Sequence, residues 1–172
     1  MAIYRILRFG TKILFFVYFS FFQNVVLAEI KSGVCSPYYA SIKANKVNAH
    51  VGPGKNYKIA REYIALGTPV VITAKYDHWR RIKDPEGEVY WVHKNMLSPK
   101  RFVISISKNL SILREDSNDN SRIIAKIKKN VIMKLISARG NWCKVGINYK
   151  NRKYDGWIRK DSIFGVFDNE IW

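Results

Sequence analysis

The sequence predicts an all-β protein of two small modules in tandem, and three observations carry that expectation. Trp79-Arg80-Arg81-Ile82 followed by Trp91-Val92-His93 returns as Trp142-Cys143-Lys144-Val145 followed by Trp157-Ile158-Arg159, at offsets of 63 and 66 positions. Such a period is too long for a solenoid repeat and fits two small domains. Helical periodicity is hard to find after Ala28, whereas short apolar runs bounded by Gly, Pro, Asn and Asp recur throughout. Runs of that kind, rich in Val, Ile and aromatics, are strands of small barrels or sandwiches.

In the first copy the runs are Val47 to Val51, Pro69 to Tyr76, Trp79 to Lys83 and Val89 to His93. Gly52-Pro53-Gly54 and Asp84-Pro85-Glu86-Gly87 are turns between them, because proline fixes φ and glycine reaches positive φ. The second copy gives Leu110 to Arg114, Ile123 to Ile127, Val131 to Ala138, Trp142 to Ile147 and Tyr154 to Arg159. The boundaries follow: a leader at 1–28, an N-terminal arm at 29–40, modules at 41–99 and 100–166, and a tail at 167–172.

The leader is read apart from the modules. Arg5, Arg8 and Lys12 precede an uncharged run from Ile13 to Ala28, and Val26-Leu27-Ala28 offers small residues at its end. This is the layout of a secretory signal peptide cleaved near Ala28, and it predicts an exported protein of the periplasm or cell envelope. The alternative is an N-terminal membrane anchor, although the uncharged run is shorter than the roughly 20 residues that span a bilayer.

The formal charge is +17, and +14 without Arg5, Arg8 and Lys12. An excess of that size sets up a field that attracts polyanions whatever the fold. For an exported protein these are anionic lipid head groups, lipopolysaccharide phosphates, teichoic acids or acidic glycan peptides rather than nucleic acid. Lys126 to Asn130 and Lys150 to Lys153 concentrate basic loops in the second copy. Cys35 and Cys143 could form one bridge in an oxidising compartment, the alternative being a buried, inert Cys143.

Strand alternation gives each hairpin two faces. With Ile82 and Val92 inward, Trp79, Arg81, Trp91 and His93 emerge together; with Val145 and Ile158 inward, Trp142, Lys144, Trp157 and Arg159 do the same. Two indoles beside two cations suit a ligand platform, with Tyr57 as a further aromatic. The competing reading packs the indoles under a loop, where tryptophan usually lies.

Catalytic constellations are wanting. His50, His78 and His93 are scattered and lack metal-ligand spacing, so no metal or cofactor is expected. Asp84, Glu86, Glu115, Asp116 and Asp155 fall in turns, where backbone reasons explain them. Cys143 beside Trp142 is the one nucleophile to consider, and a cysteine-dependent hydrolase is the least favoured reading.

Val47-Asn48-Ala49-His50-Val51-Gly52-Pro53-Gly54-Lys55-Asn56-Tyr57 resembles the opening strand and loop of bacterial SH3 domains, with His50 standing where that family usually has Arg. Leu66 to Val70 and the paired tryptophan strands are similar to the rest of the pattern from Ser41 to Leu97; Leu110 to Ile163 follows it with Asp116-Ser117 in place of Gly-Pro. The resemblance implies SH3-like five-stranded barrels and a non-enzymatic role in binding a cell-wall peptide, glycan or envelope protein. A charge-driven polyanion or membrane-surface binder is the alternative.

Overall fold

The computed structural model describes residues 33–171, so the leader and its cleavage point lie outside the described residues. Fourteen strands follow in chain order. The first seven are β1 (Gly33–Ile42), β2 (Val47–His50), β3 (Ile59–Tyr63), β4 (Pro69–Tyr76), β5 (Trp79–Lys83), β6 (Val89–His93) and β7 (Leu97–Ser98). The second set is β8 (Phe102–Ser105), β9 (Ser111–Arg114), β10 (Ile123–Ile127), β11 (Ile132–Arg139), β12 (Trp142–Tyr149), β13 (Arg152–Arg159) and β14 (Ile163–Phe164). They build two sheets ordered β3-β2-β6-β5-β4-β1-β7 and β10-β9-β13-β12-β11-β8-β14. Strand for strand these are the same connectivity, so the repeat read from the tryptophans is a repeat of topology. Each sheet has seven strands rather than five, with β1 and β7, and in the second sheet β8 and β14, added beyond β4 and β11.

Local chemistry explains the turns. Asp84, wholly buried, accepts hydrogen bonds from the Glu86 and Glu88 backbone N–H groups, both at 3.0 Å, and so closes the β5–β6 turn from within. Tyr63 Oη donates to its other oxygen at 3.1 Å, and Arg61 lies 3.2 Å from it. Burial, and then the neighbouring Asp84 charge, hold the Tyr63 phenol protonated far above its ordinary range. At the tip of β12–β13, Lys150 and Asn151 both have positive φ, the backbone of a two-residue hairpin that follows the twist of its strands.

Cores form where alternation points. Ile82 and Val92 are fully buried with Val47, Val70 and Ile72; Val145 and Ile158 are fully buried with Val103, Leu113 and Leu135. Cys143 lies in the second core and Cys35 packs against the first, and both thiols are free. The bridge considered from sequence is absent because the two residues belong to different cores.

The arm and the tail both take part in the packing. The stretch read as an N-terminal arm is mostly β1, a strand that pairs with β7 through Ser41 and Ile42. The tail is docked as well. Lys160 Nζ, buried, donates to the carbonyls of Asp168 at 2.8 Å and Glu170 at 2.9 Å, and Glu170 takes two hydrogen bonds from Arg101 at 2.6 and 3.0 Å. Tyr39 of β1 crosses to meet Phe164 and Phe167 at ring distances of 5.4 and 4.5 Å, with the Arg101 guanidinium over its face. A module of about sixty residues buries only just enough surface to fold, so this seam ties the two together.

Burial alone would raise the Glu170 carboxyl, but hydrogen bonds from Arg101 and the Phe167 N–H hold it below the usual carboxylate range. A group depressed on folding adds stability above its unfolded pKa, about 4.3 for Glu, and loses that contribution as pH falls through its folded value. Glu170→Gln is therefore expected to cost about 1–3 kcal/mol at neutral pH, by loss of charge-assisted hydrogen bonds. Thermal melts of the two proteins should differ at pH 7 and converge as pH falls through the depressed folded value of Glu170, where both carry a neutral side chain.

Candidate functional site

The outer face of the first hairpin is ordered in rows. Across the sheet Tyr76, Trp79 and His93 face one another in one row, and Arg81, Trp91 and His50 in the next. The rows follow from the tight turn at Asp77, whose φ of 46° lets β5 double back on β4, and from the β5–β6 register fixed by Asp84.

Trp79 is only 8% exposed, so it does not stand out as a platform. Its indole is instead the floor between two imidazoles that meet it edge-on: His50 at 5.1 Å and His93 at 5.7 Å, with interplanar angles of 82° and 90°. His78 adds a third ring 5.9 Å from His93. Histidines scattered in sequence thus gather around one tryptophan, because they sit at the end of β2, in the β4–β5 turn and at the end of β6.

Hydrogen bonds fix two of these rings. His50 Nδ1 lies 2.7 Å from the Tyr57 carbonyl, which can only accept, so Nδ1 carries the proton and donates. His93 Nδ1 accepts from the Asn95 N–H at 3.3 Å and caps the 3₁₀ turn Lys94–Met96. Its Nε2 is then the protonated nitrogen of the neutral ring.

Over this floor opens a groove of about 610 Å³, within the roughly 300–1,000 Å³ of small-ligand sites. Val47, Ile59, Trp79 and Met96 give it apolar surface, Asn48 and Asn95 supply amides, His50 and His93 flank it, and Lys46 and Lys55 complete its lining. Of the residues expected in the first module's site, Trp79 and His93 line the groove. Tyr57, Arg81 and Trp91 do not: Tyr57 covers the Gly52-Pro53-Gly54 turn and contributes its carbonyl, Arg81 donates to Thr73 Oγ1 at 3.1 Å, and Trp91 is half-buried on β6.

The second module repeats the rows with different chemistry. Arg139, Trp142 and Arg159 form one and Lys144, Trp157 and Arg114 the other. Arg159 lies over the Trp142 ring at 5.0 Å and Arg139 over Trp157 at 4.6 Å, so both indoles are half-buried beneath guanidiniums. Trp142, Lys144, Trp157 and Arg159 are brought together as their alternation implies, but Arg114 and Arg139 were missed. The signal for Arg139 was available: a two-residue Gly140-Asn141 turn places it opposite Trp142.

With both sites described, the relatives can be placed. A family model described as "Bacterial SH3 domain" matches residues 43–99 and again 107–165. The chain belongs to the bacterial SH3 domain family. Arg114, paired with Trp157, holds the arginine position that His50 occupies in the first SH3 module. No curated protein matches the sequence. Among solved structures, NlpC2 from Trichomonas vaginalis is 15% identical with a TM-score of 0.34, over 78% of this chain and 50% of that one. NlpC1 from the same organism is 14% identical with a TM-score of 0.32, over 77% and 48%. An NlpC/P60 family protein from Bacillus cereus is 15% identical with a TM-score of 0.34, over 74% and 56%. This SH3 protein spans about half the length of those chains.

A β-carbon at Gly52 would overlap the Tyr57 ring, and one at Gly54 would crowd it. Gly52→Ala is therefore expected to push Tyr57 off the turn and pull its carbonyl from His50, at a cost of about 1–3 kcal/mol for overpacking. Urea unfolding reads the loss, and the His50 ring resonances should shift while those of the second module stay fixed.

Proposed function

We propose that this is an exported, non-catalytic binding protein that recognises a cell-wall peptide or glycan through the groove of its first SH3 module. Bacterial SH3 domains are generally cell-wall binding modules. The observation that carries the assignment to the first module is the groove over Trp79, where an apolar floor meets amides and imidazoles fixed by backbone hydrogen bonds. Such a surface takes a ligand with apolar and amide or hydroxyl groups together, as a short wall peptide or sugar has. Fixed donors and acceptors in a pre-formed groove give selectivity, because a mismatched ligand leaves buried polar groups unpaired.

Cys143 supports the non-catalytic part. Its thiol is fully buried, and burial pushes it up to about 11, so little thiolate exists at neutral pH to act as nucleophile. Export is supported by the basic, then apolar, then small-residue order of residues 1–28.

Purified protein starting at Glu29 should co-sediment with isolated cell wall and remain bound at 0.5 M salt, where exposed charge pairs are screened. Asn95→Ala together with Trp79→Leu is expected to weaken binding at least about tenfold, the effect of losing a hydrogen bond and an aromatic contact. Binding that vanishes with salt and ignores these substitutions contradicts the groove. For export, the intact mass of envelope-fraction protein should begin at or within two residues of Glu29; full-length chain in the cytosol refutes it.

A further inference from the structure

The second module concentrates four permanent cations where the first has one. Arg114, Arg139, Lys144 and Arg159 flank Trp142 and Trp157 in the two rows, whereas the matching positions of the first module are His50, Tyr76, Arg81 and His93. Like charges on neighbouring strands repel, so the face needs an anion to balance it. Part of that balance comes from one loop. Arg159 pairs with Asp119, Arg139 donates to Ser117 Oγ at 2.6 Å, and Arg114 donates to the Ser121 carbonyl at 2.8 Å. Three guanidiniums thus find three oxygen acceptors within five residues, but those five residues carry only one negative charge, that of Asp119, against the four cations of the two rows. Glu115 of the same loop is already paired with Arg122.

We infer that this face is a binding site for a phosphate-bearing anion, and that the Ser117–Ser121 loop is its internal competitor. A phosphate group carries up to two negative charges and several acceptor oxygens, and therefore replaces the loop's oxygens while neutralising more of the surplus than one carboxylate can. Stacking on the indoles pre-orients Arg139 and Arg159 and leaves the donor edges of their planar forks to meet the ligand. The site is reachable, since the Arg159 and Asp119 side chains are 40% and 58% exposed. It is separate from the groove of the first module and stands whether or not that groove binds cell wall.

The test uses the whole mature protein and inorganic pyrophosphate, titrated by calorimetry at constant ionic strength against acetate as a monoanionic control. Pyrophosphate should bind and acetate should not. Asp119→Asn removes the competing charge and should tighten pyrophosphate about two- to fivefold, the worth of one exposed ion pair. Arg159→Gln should weaken it about tenfold by loss of a charge-assisted contact. Lys144→Gln, at a half-buried position of the same rows, provides a second loss should Arg159→Gln lower the melting temperature, and Lys58→Gln, exposed in the first module, should leave affinity unchanged. Co-sedimentation with phosphatidylglycerol vesicles separates the sources: pyrophosphate-sensitive vesicle binding identifies a lipid headgroup, and pyrophosphate binding without vesicle binding identifies a soluble or polymeric phosphate. Equal binding of acetate, no response to Asp119→Asn, or a loss with Lys58→Gln as large as with Arg159→Gln overturns the inference.

Discussion

The structure depends on how the alternation of two tryptophan hairpins is spent. Inward positions must fill a core with almost nothing to spare, and Ile82, Val92, Val145 and Ile158 are accordingly fully buried. The outward positions of the same strands are left free of that demand, and there each module sets an indole between two side chains in each of two rows. The flanking residues then decide what each face is. Imidazoles beside Trp79 leave a groove open over it, while arginines beside Trp142 and Trp157 lie across the rings. One backbone plan thus carries two surfaces, an apolar and hydrogen-bonding one in the first module and a cationic one in the second.

The seam between the modules follows from the same shortage of core. Tyr39 reaches from β1 to Phe164 and Phe167, Arg101 stacks on it and grips Glu170, and Lys160 is buried against the carbonyls of the final residues. A buried ammonium is tolerated only when its donors are satisfied, and here the carbonyls of Asp168 at 2.8 Å, Glu170 at 2.9 Å and Phe167 at 3.5 Å accept all three. Gly67 belongs to the seam too: its φ of 84° suits glycine, and a β-carbon there would press on Phe102 and Ile132. The chain is therefore less like two beads on a linker than its repeat suggests.

Much of this was legible in the residues. The duplication, most strands and the inward direction of Ile82, Val92, Val145 and Ile158 follow from spacing and period two alone. What was not legible depended on register or on distance. β1 was hidden because Gly33-Val34-Cys35-Ser36-Pro37-Tyr38-Tyr39 lacks alternation and carries a proline, while its burial begins only at Ala40. The histidines of the first module share no spacing, and only the β2–β6 pairing brings His50 to Trp79 and His93. Trp79 was read as an outward residue, which it is, but outward does not mean exposed once His50 and His93 close over its edges. Asp119 could not be connected with Arg159 from sequence, forty positions away, because loop conformation rather than periodicity brings them together.

The central claim is that the two equivalent faces have divided the chemistry between them. Indole N–H resonances in a proton–nitrogen correlation spectrum of the mature protein test it directly, since each tryptophan reports on its own face. The account predicts that a soluble cell-wall stem peptide shifts Trp79 and leaves Trp142 and Trp157 in place, while pyrophosphate does the reverse. If either ligand moves the indoles of both modules alike, the faces are not specialised and the account is wrong.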